Sequence, residues 1–326
     1  MMSPVVGYYG KLPHSPEFLR LHAAGPELRW LDDWLQRGVL YAKSKEGAQW
    51  PALIAQSDLW NFLYVPSGHG RIVCGVVFAS QDKAGRSFPF LTFQIIDRDP
   101  LSRNPWLVPL VAAEFLEAAT KLLQQLRQNL DWGGFCRSVE TVSGTRINME
   151  SLTAEFGQYM RTITAKEWWT GLWGEFDDPR KYQVKHGLGT LIRSSQSCVD
   201  REIPWGIRCP LFATTTAETY DLPFWLKVIM QSVRQGQQRD PGMFVFWNRS
   251  PTTIEPCALV SIGPGSPNMI RFLLSPKAQD DSWRDVVSGN HIPAGLGETG
   301  AHDEDRVLND PVLSLDRLFE YFRGIG

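Results

Sequence analysis

Residues 72–96 read IVCGVVFASQDKAGRSFPFLTFQII, and this stretch decides the architecture. Its two ends are apolar and rich in β-branched and aromatic residues, so 72–79 and 90–96 are expected to be strands. The intervening Asp82-Lys83-Ala84-Gly85-Arg86 joins them through a turn at Gly85. Residues 5–9 and 59–65 are further short apolar or alternating runs bounded by Gly, Pro or Asp, and read as strands too.

Helical spacing fills the intervals. One helix should begin near Pro26, whose fixed backbone angle suits an opening turn, with Trp30, Leu31, Trp34, Leu35 and Gly38 facing the sheet. A second is expected from an Asn104 cap and Pro105, running as one amphipathic helix through Leu107, Leu110, Val111, Phe115, Ala118, Leu122 and Leu126. Gly133-Gly134 and the polar residues up to Asn148 interrupt the pattern, placing a junction there between a lobe at 1–130 and a second lobe at 131–275. Beyond it, Thr164 and Glu167 have capping-box spacing ahead of Trp168, Trp169, Leu172 and Trp173, with Gly174 as the stop. Asp221 is expected to cap a helix carrying Phe224, Trp225, Leu226, Ile229, Met230 and Val233 as far as Gly236. Residues 243–247, 257–262 and 269–274 follow as three strand candidates in antiparallel succession. Residues 276–326 form a C-terminal extension, a mostly irregular arm that closes in a short helix over 312–322, packed through Leu315, Leu318, Phe319 and Phe322. The fold class is therefore α/β: a mixed sheet with flanking helices, a layered α/β sandwich.

Several functions are disfavoured by composition. With Lys+Arg 33 against Asp+Glu 35, the formal charge is −2, so no global field draws the chain to nucleic acid or anionic lipid. The first residues, MMSPVVGYYGKLP, lack a charged leader and an apolar run, and no segment reaches the ~20 apolar residues of a membrane span. Cys74, Cys136, Cys198, Cys209 and Cys257 are odd in number and widely spaced, as expected of reduced thiols in a cytoplasmic protein.

Catalytic and cofactor patterns are also weak. Gly68-His69-Gly70-Arg71 resembles a phosphate loop only in its glycines, since a strand and not a helix follows, and a hairpin turn accounts for it. The cysteines and histidines lack the short spacing of a zinc site. His302, Asp303, Glu304 and Asp305 include metal-ligand types, but such a charged run in a glycine-rich arm reads as solvated. Gly263-Pro264-Gly265-Ser266-Pro267 is not a nucleophile elbow, and its proline after Ser266 removes the helix N–H geometry of an oxyanion hole. The expected cofactor set is none. Most of the 13 tryptophans sit at core spacing; any left over are candidate anchors for a protein partner.

Particular strings are more specific. Gly7-Tyr8-Tyr9-Gly10-Lys11-Leu12-Pro13, then Phe18, Trp30 and Trp34, Trp60-Asn61-Phe62, and Gly75 to Phe90 resemble in order and spacing the TagF/ImpM family of bacterial type VI secretion accessory proteins. Asp221-Leu222-Pro223-Phe224-Trp225-Leu226, Phe244-Val245-Phe246-Trp247 and residues 262–267 look like the family less sharply. Two strings depart from it: the family's G-D-F is Ser15-Pro16-Glu17-Phe18 here, and its W-R-F is Trp60-Asn61-Phe62. The resemblance implies a compact α/β sandwich and a non-enzymatic, post-translational regulator, commonly a repressor of type VI assembly, that binds a secretion component. A forkhead-associated scaffold protein is the partner it suggests. It points to Tyr9, Gly10, Lys11, Pro13, Phe18, Trp34, Trp60, Asp82, Gly85, Arg86, Phe88 and Pro89 as family-motif or partner-binding residues. On residue chemistry alone, Lys11 is expected near a strand end, and Arg86 at a surface turn or bridged to a carboxylate. A nucleotide- or small-molecule-responsive sensor, built on Gly68 to Arg71 and Arg86, is the alternative, and a hydrolase assembled from distant residues a third.

Overall fold

Strands apolar at every position need cover on both faces, and the fold supplies it. In the computed structural model, which describes residues 4–67, 70–129, 131–142, 148–197, 206–213, 220–234, 242–263, 265–278, 280–281, 283–285 and 305–325, β1 (Val5–Gly10), β2 (Leu19–Leu21), β3 (Trp60–Val65), β4 (Ile72–Phe78) and β5 (Phe90–Ile96) belong to one sheet. It is completed by β6 (Gly206–Pro210), β7 (Met243–Asn248), β8 (Cys257–Ile262) and β9 (Trp283–Asp285) in the order β2-β1-β5-β4-β3-β7-β8-β6-β9. Every neighbouring pair is antiparallel except β6 with β9, so the sheet is mixed. All seven residues of β4 and all seven of β5 are buried.

Side chains alternate between two cores, as the period of a strand requires. Val73 and Val77 point into a layer with Leu31, Trp34 and Leu35 of α1 (Pro26–Glu46), Trp50 and Ile54 of α2 (Trp50–Gln56), and Phe272. Cys74 and Val76 point the other way, toward the helices α3 (Val108–Val111), α4 (Ala113–Asn129), α5 (Trp132–Thr141), α6 (Met149–Thr162), α7 (Ala165–Trp173), α8 (Arg180–Ser197), α9 (Asp221–Arg234) and α10 (Leu315–Arg323). Residues 1–130 and 131–275 share this sheet, because β3 pairs with β7 through Phe62 opposite Phe246 and Leu63 opposite Val245.

Local chemistry explains where expectation and structure part. The helix expected from Asn104 is broken into a 3-10 turn at Pro105–Leu107, then α3 and α4; Asn104 makes no cap bond, and Pro105 and Pro109 each withhold an N–H. Gly133 and Gly134 do not interrupt: they lie inside α5, which Asp131 caps by accepting from the Gly134 N–H at 2.9 Å. A side chain at position 134 would meet that carboxylate at 2.1 Å, so the glycine makes room for the cap. Asp131→Ala is expected to cost about 0.5–2 kcal/mol, measured by urea unfolding.

Residues 269–274 are not a strand. Ser266 accepts from the Asn268 N–H and starts a 3-10 helix, Pro267–Leu273, that packs under α1, where Gly38 lies against the Pro267 carbonyl. Asp221 opens α9 but turns its carboxylate to Arg249. The capping box of α7 forms as expected, with Gly174 left-handed at its end. The C-terminal helix packs through Leu315, Leu318, Phe319 and Phe322, and its approach is pinned by the Ala165 N–H to Leu313 and the Leu315 N–H to Ile163. Gly68, His69, Cys198, Gly236, Pro264, His302, Asp303 and Glu304, all part of the sequence expectations, lie outside the described residues. Cys74, Cys136, Cys209 and Cys257 are free thiols. Among the described residues no helix is long and apolar enough to cross a membrane.

Candidate functional site

The register of β1 against β5 builds the site. Gly10 lies opposite Phe90, so the chain leaving β1 runs beside the chain entering β5. Lys11 Nζ thereby reaches Asp82 Oδ2 at 2.9 Å, although the residues are 71 apart in sequence. Arg86 Nε donates to the same oxygen at 2.7 Å, while the Ala84 and Arg86 backbone N–H groups donate to Oδ1 at 2.9 and 2.8 Å. Asp82 is thus a buried carboxylate with four donors and two cations around it. The Gly85 N–H returns to the Asp82 carbonyl, with Gly85 at a positive φ of 77°, closing the turn.

The clamp joins two segments. Arg86 Nη2 donates to the Pro16 carbonyl at 2.5 Å, and the Lys83 N–H donates to that of Ser15 at 3.1 Å. Above it, Phe18 packs edge-on to Phe88 at 4.8 Å between centroids and stacks on Tyr9 at 5.4 Å, and the Lys11 ammonium lies 4.9 Å from the Phe18 ring. Pro89 is buried beneath, its carbonyl against Gly10, and Pro13 is exposed at the bend after β1.

Ten of the twelve residues named from the sequence therefore converge here; Trp34 and Trp60 do not. Their rings are buried on the α1 side of the sheet, Trp34 donating to the Gly265 carbonyl at 3.2 Å and Trp60 packed edge-on to Phe272. Both readings of Arg86 hold together, since it stands on a surface turn and bridges to a carboxylate. Arg71, from the candidate phosphate loop, donates to the Glu27 carboxylate at 3.3 Å. Sequence reasoning did not single out Arg20 and Lys83, which are exposed beside the cluster. Lys83 sits inside the quoted turn, whereas Arg20 lies on β2, too short a strand to show a period.

Every lone pair that Asp82 directs at the turn is occupied, so the cluster works as a structural clamp. Burial pushes its carboxyl up, but Lys11 and the backbone and side chain of Arg86 outweigh burial and hold it well below the usual carboxylate range. A depressed folded value adds stability above the unfolded value of about 3.9, and that stability is lost as pH falls through the folded value. The stability gap between wild type and Asp82→Asn is therefore expected to be constant above about pH 5 and to shrink in more acidic buffer. Urea unfolding across that range checks it; a gap unchanged at acid pH would mean that the carboxylate is not charged in the clamp.

Residues 7–142, which contain the whole clamp, match the family model of the TagF N-terminal domain, type VI secretion system-associated. The chain carries a TagF N-terminal domain. It is thereby associated with type VI secretion. The matched residues run from Gly7, within β1, through β2 to β5 and α1 to α4, to Val142, one residue past the end of α5. Among solved structures, the chain is similar to PA0076 from Pseudomonas aeruginosa PAO1, with 17% identity and a TM-score of 0.46 over 85% of this chain and 96% of that one. A comparison with curated proteins gives no significant match.

Proposed function

We propose that the chain is a non-enzymatic accessory regulator of type VI secretion, acting post-translationally in the cytoplasm by binding a component of the machine and restraining its assembly. The TagF domain over residues 7–142 carries this reading. It is supported by the clamp, in which the charged groups of the domain's own motif satisfy one another, leaving Phe18 and the outer edge of Arg86 turned to solvent. A scaffold protein with a forkhead-associated domain is the proposed partner.

Affinity purification of the tagged chain from cells with an intact type VI cluster, and from cells deleted for it, tests the reading. A secretion component is expected to be captured from the first and absent from the second. Deleting the chain is expected to raise secretion. Unchanged secretion together with an empty capture would rule the regulator out.

A further inference from the structure

The clamp fixes a surface as well as a turn. Phe18 is 41% exposed although it packs on Tyr9 and Phe88. The Arg86 side chain is 62% exposed. Its Nε is engaged by Asp82 and its Nη2 by the Pro16 carbonyl, two residues from Phe18, and Nη1 has no partner among the described residues. Lys83 is exposed with its ammonium unpaired among those residues, and Arg20 is exposed opposite Tyr9 in the β1–β2 register. Glu17 is the one exposed acid on segments 13–20 and 81–88, since Asp82 is buried. Asp32, half-buried, bonds Tyr9 near Arg20 on the same face. Arg86, Lys83 and Arg20 therefore outnumber Glu17 and Asp32, and the aromatic ring has a locally cationic border on a chain whose formal charge is −2.

We propose that this face binds an acidic and apolar segment of a partner protein. A carboxylate of that segment takes the free edge of Arg86, which is already oriented by Asp82 and Pro16 and so loses little freedom on binding. Lys83 and Arg20 attract the acidic segment and suppress basic ones. A neighbouring Leu, Ile or Phe packs on Phe18, an exposed ring beside an arginine being the composition of a binding hot spot. Three cations and no longer basic track favour a peptide over a nucleic acid, whose affinity grows with the number of phosphates neutralised. The inference rests on the reading of the chain as a binder of a secretion component, and names the chemistry of that contact.

Selection of a displayed library of random short peptides on the full-length chain tests it. Enriched peptides are expected to carry Asp or Glu within two positions of Leu, Ile or Phe. Their dissociation constants are expected to rise about tenfold or more for Arg86→Gln and for Phe18→Ser, and several-fold for Lys83→Glu. Lys83→Glu and Phe18→Ser leave all four donors on Asp82, so they report on binding even where Arg86→Gln weakens the fold. Enrichment of basic or neutral peptides, no enrichment, variants that bind as wild type does, or displacement of the peptides by a single-stranded oligonucleotide would each overturn the assignment. A Phe18→Ser/Lys83→Glu chain that still captures the secretion component overturns this face and leaves the binding function standing. A wild-type chain that captures nothing removes both.

Discussion

Arg249→Met is expected to destabilise the protein by about 3–5 kcal/mol, a large part of the about 5–15 kcal/mol that holds a typical domain. Asp221 is fully buried. It receives Arg249 Nη1 on Oδ2 at 2.8 Å and Nη2 on Oδ1 at 2.6 Å, the paired geometry that suits guanidinium to carboxylate. Methionine keeps most of the side-chain volume and removes both donors, leaving the charge, among the described residues, with the Phe212 and Leu222 N–H groups. The loss should spread, because the pair gathers the chain leaving β6, the start of α9 and the chain leaving β7. Urea unfolding of Arg249→Met measures it, and Arg249→Met/Asp221→Asn is expected to recover part of the loss by removing the stranded charge. A loss under about 1 kcal/mol would mean that water replaces the guanidinium without penalty.

Gly10→Ala should have an effect of similar size, about 2–6 kcal/mol, for a different reason. Gly10 ends β1 at φ 133°, where side-chain-bearing residues are strained. A Cβ there would lie 2.0 Å from the Pro89 carbonyl oxygen and 2.7 Å from the Phe90 Cα, both backbone atoms that cannot swing aside. Relief requires β1 and β5 to part at their paired ends, which also draws Lys11 off Asp82. The expected result is a lower urea midpoint together with a loss of the acid-sensitive contribution of Asp82. By contrast, Gly85→Ala meets no atom within 4 Å and bears only the cost of its positive φ. Equal losses for the two variants would contradict the close approach at Gly10.

Legibility in the sequence followed the range of the physics. β4 and β5 were readable because burial on both faces makes the run apolar throughout, and α7 because its capping box lies within four consecutive residues. The α10 stripe of Leu315, Leu318, Phe319 and Phe322 was readable for the same local reason. The 3-10 helix at Pro267–Leu273 was missed because its apolar residues serve a tertiary role, filling the space under α1, and so imitate a strand. α8 has helical spacing at Val184, Leu188, Leu191 and Ile192, but Gly187 and Gly189, both poor helix formers, lie in its middle and obscure it in the sequence. α5 was hidden by two glycines, one of which admits the Asp131 cap.

Taken alone, the order of residues determined the α/β class, the positions of the early strands, and the chemistry gathered in the turn from Asp82 to Pro89. It could not say that Lys11 meets Asp82, that Arg86 keeps one edge for solvent, or that Trp34 and Trp60 turn inward while Phe18 stands out. Those outcomes depend on strand register and on which helix covers which face. Strand and helix periods are short-range properties of a few neighbouring residues, whereas register is set by the simultaneous packing of segments tens of residues apart.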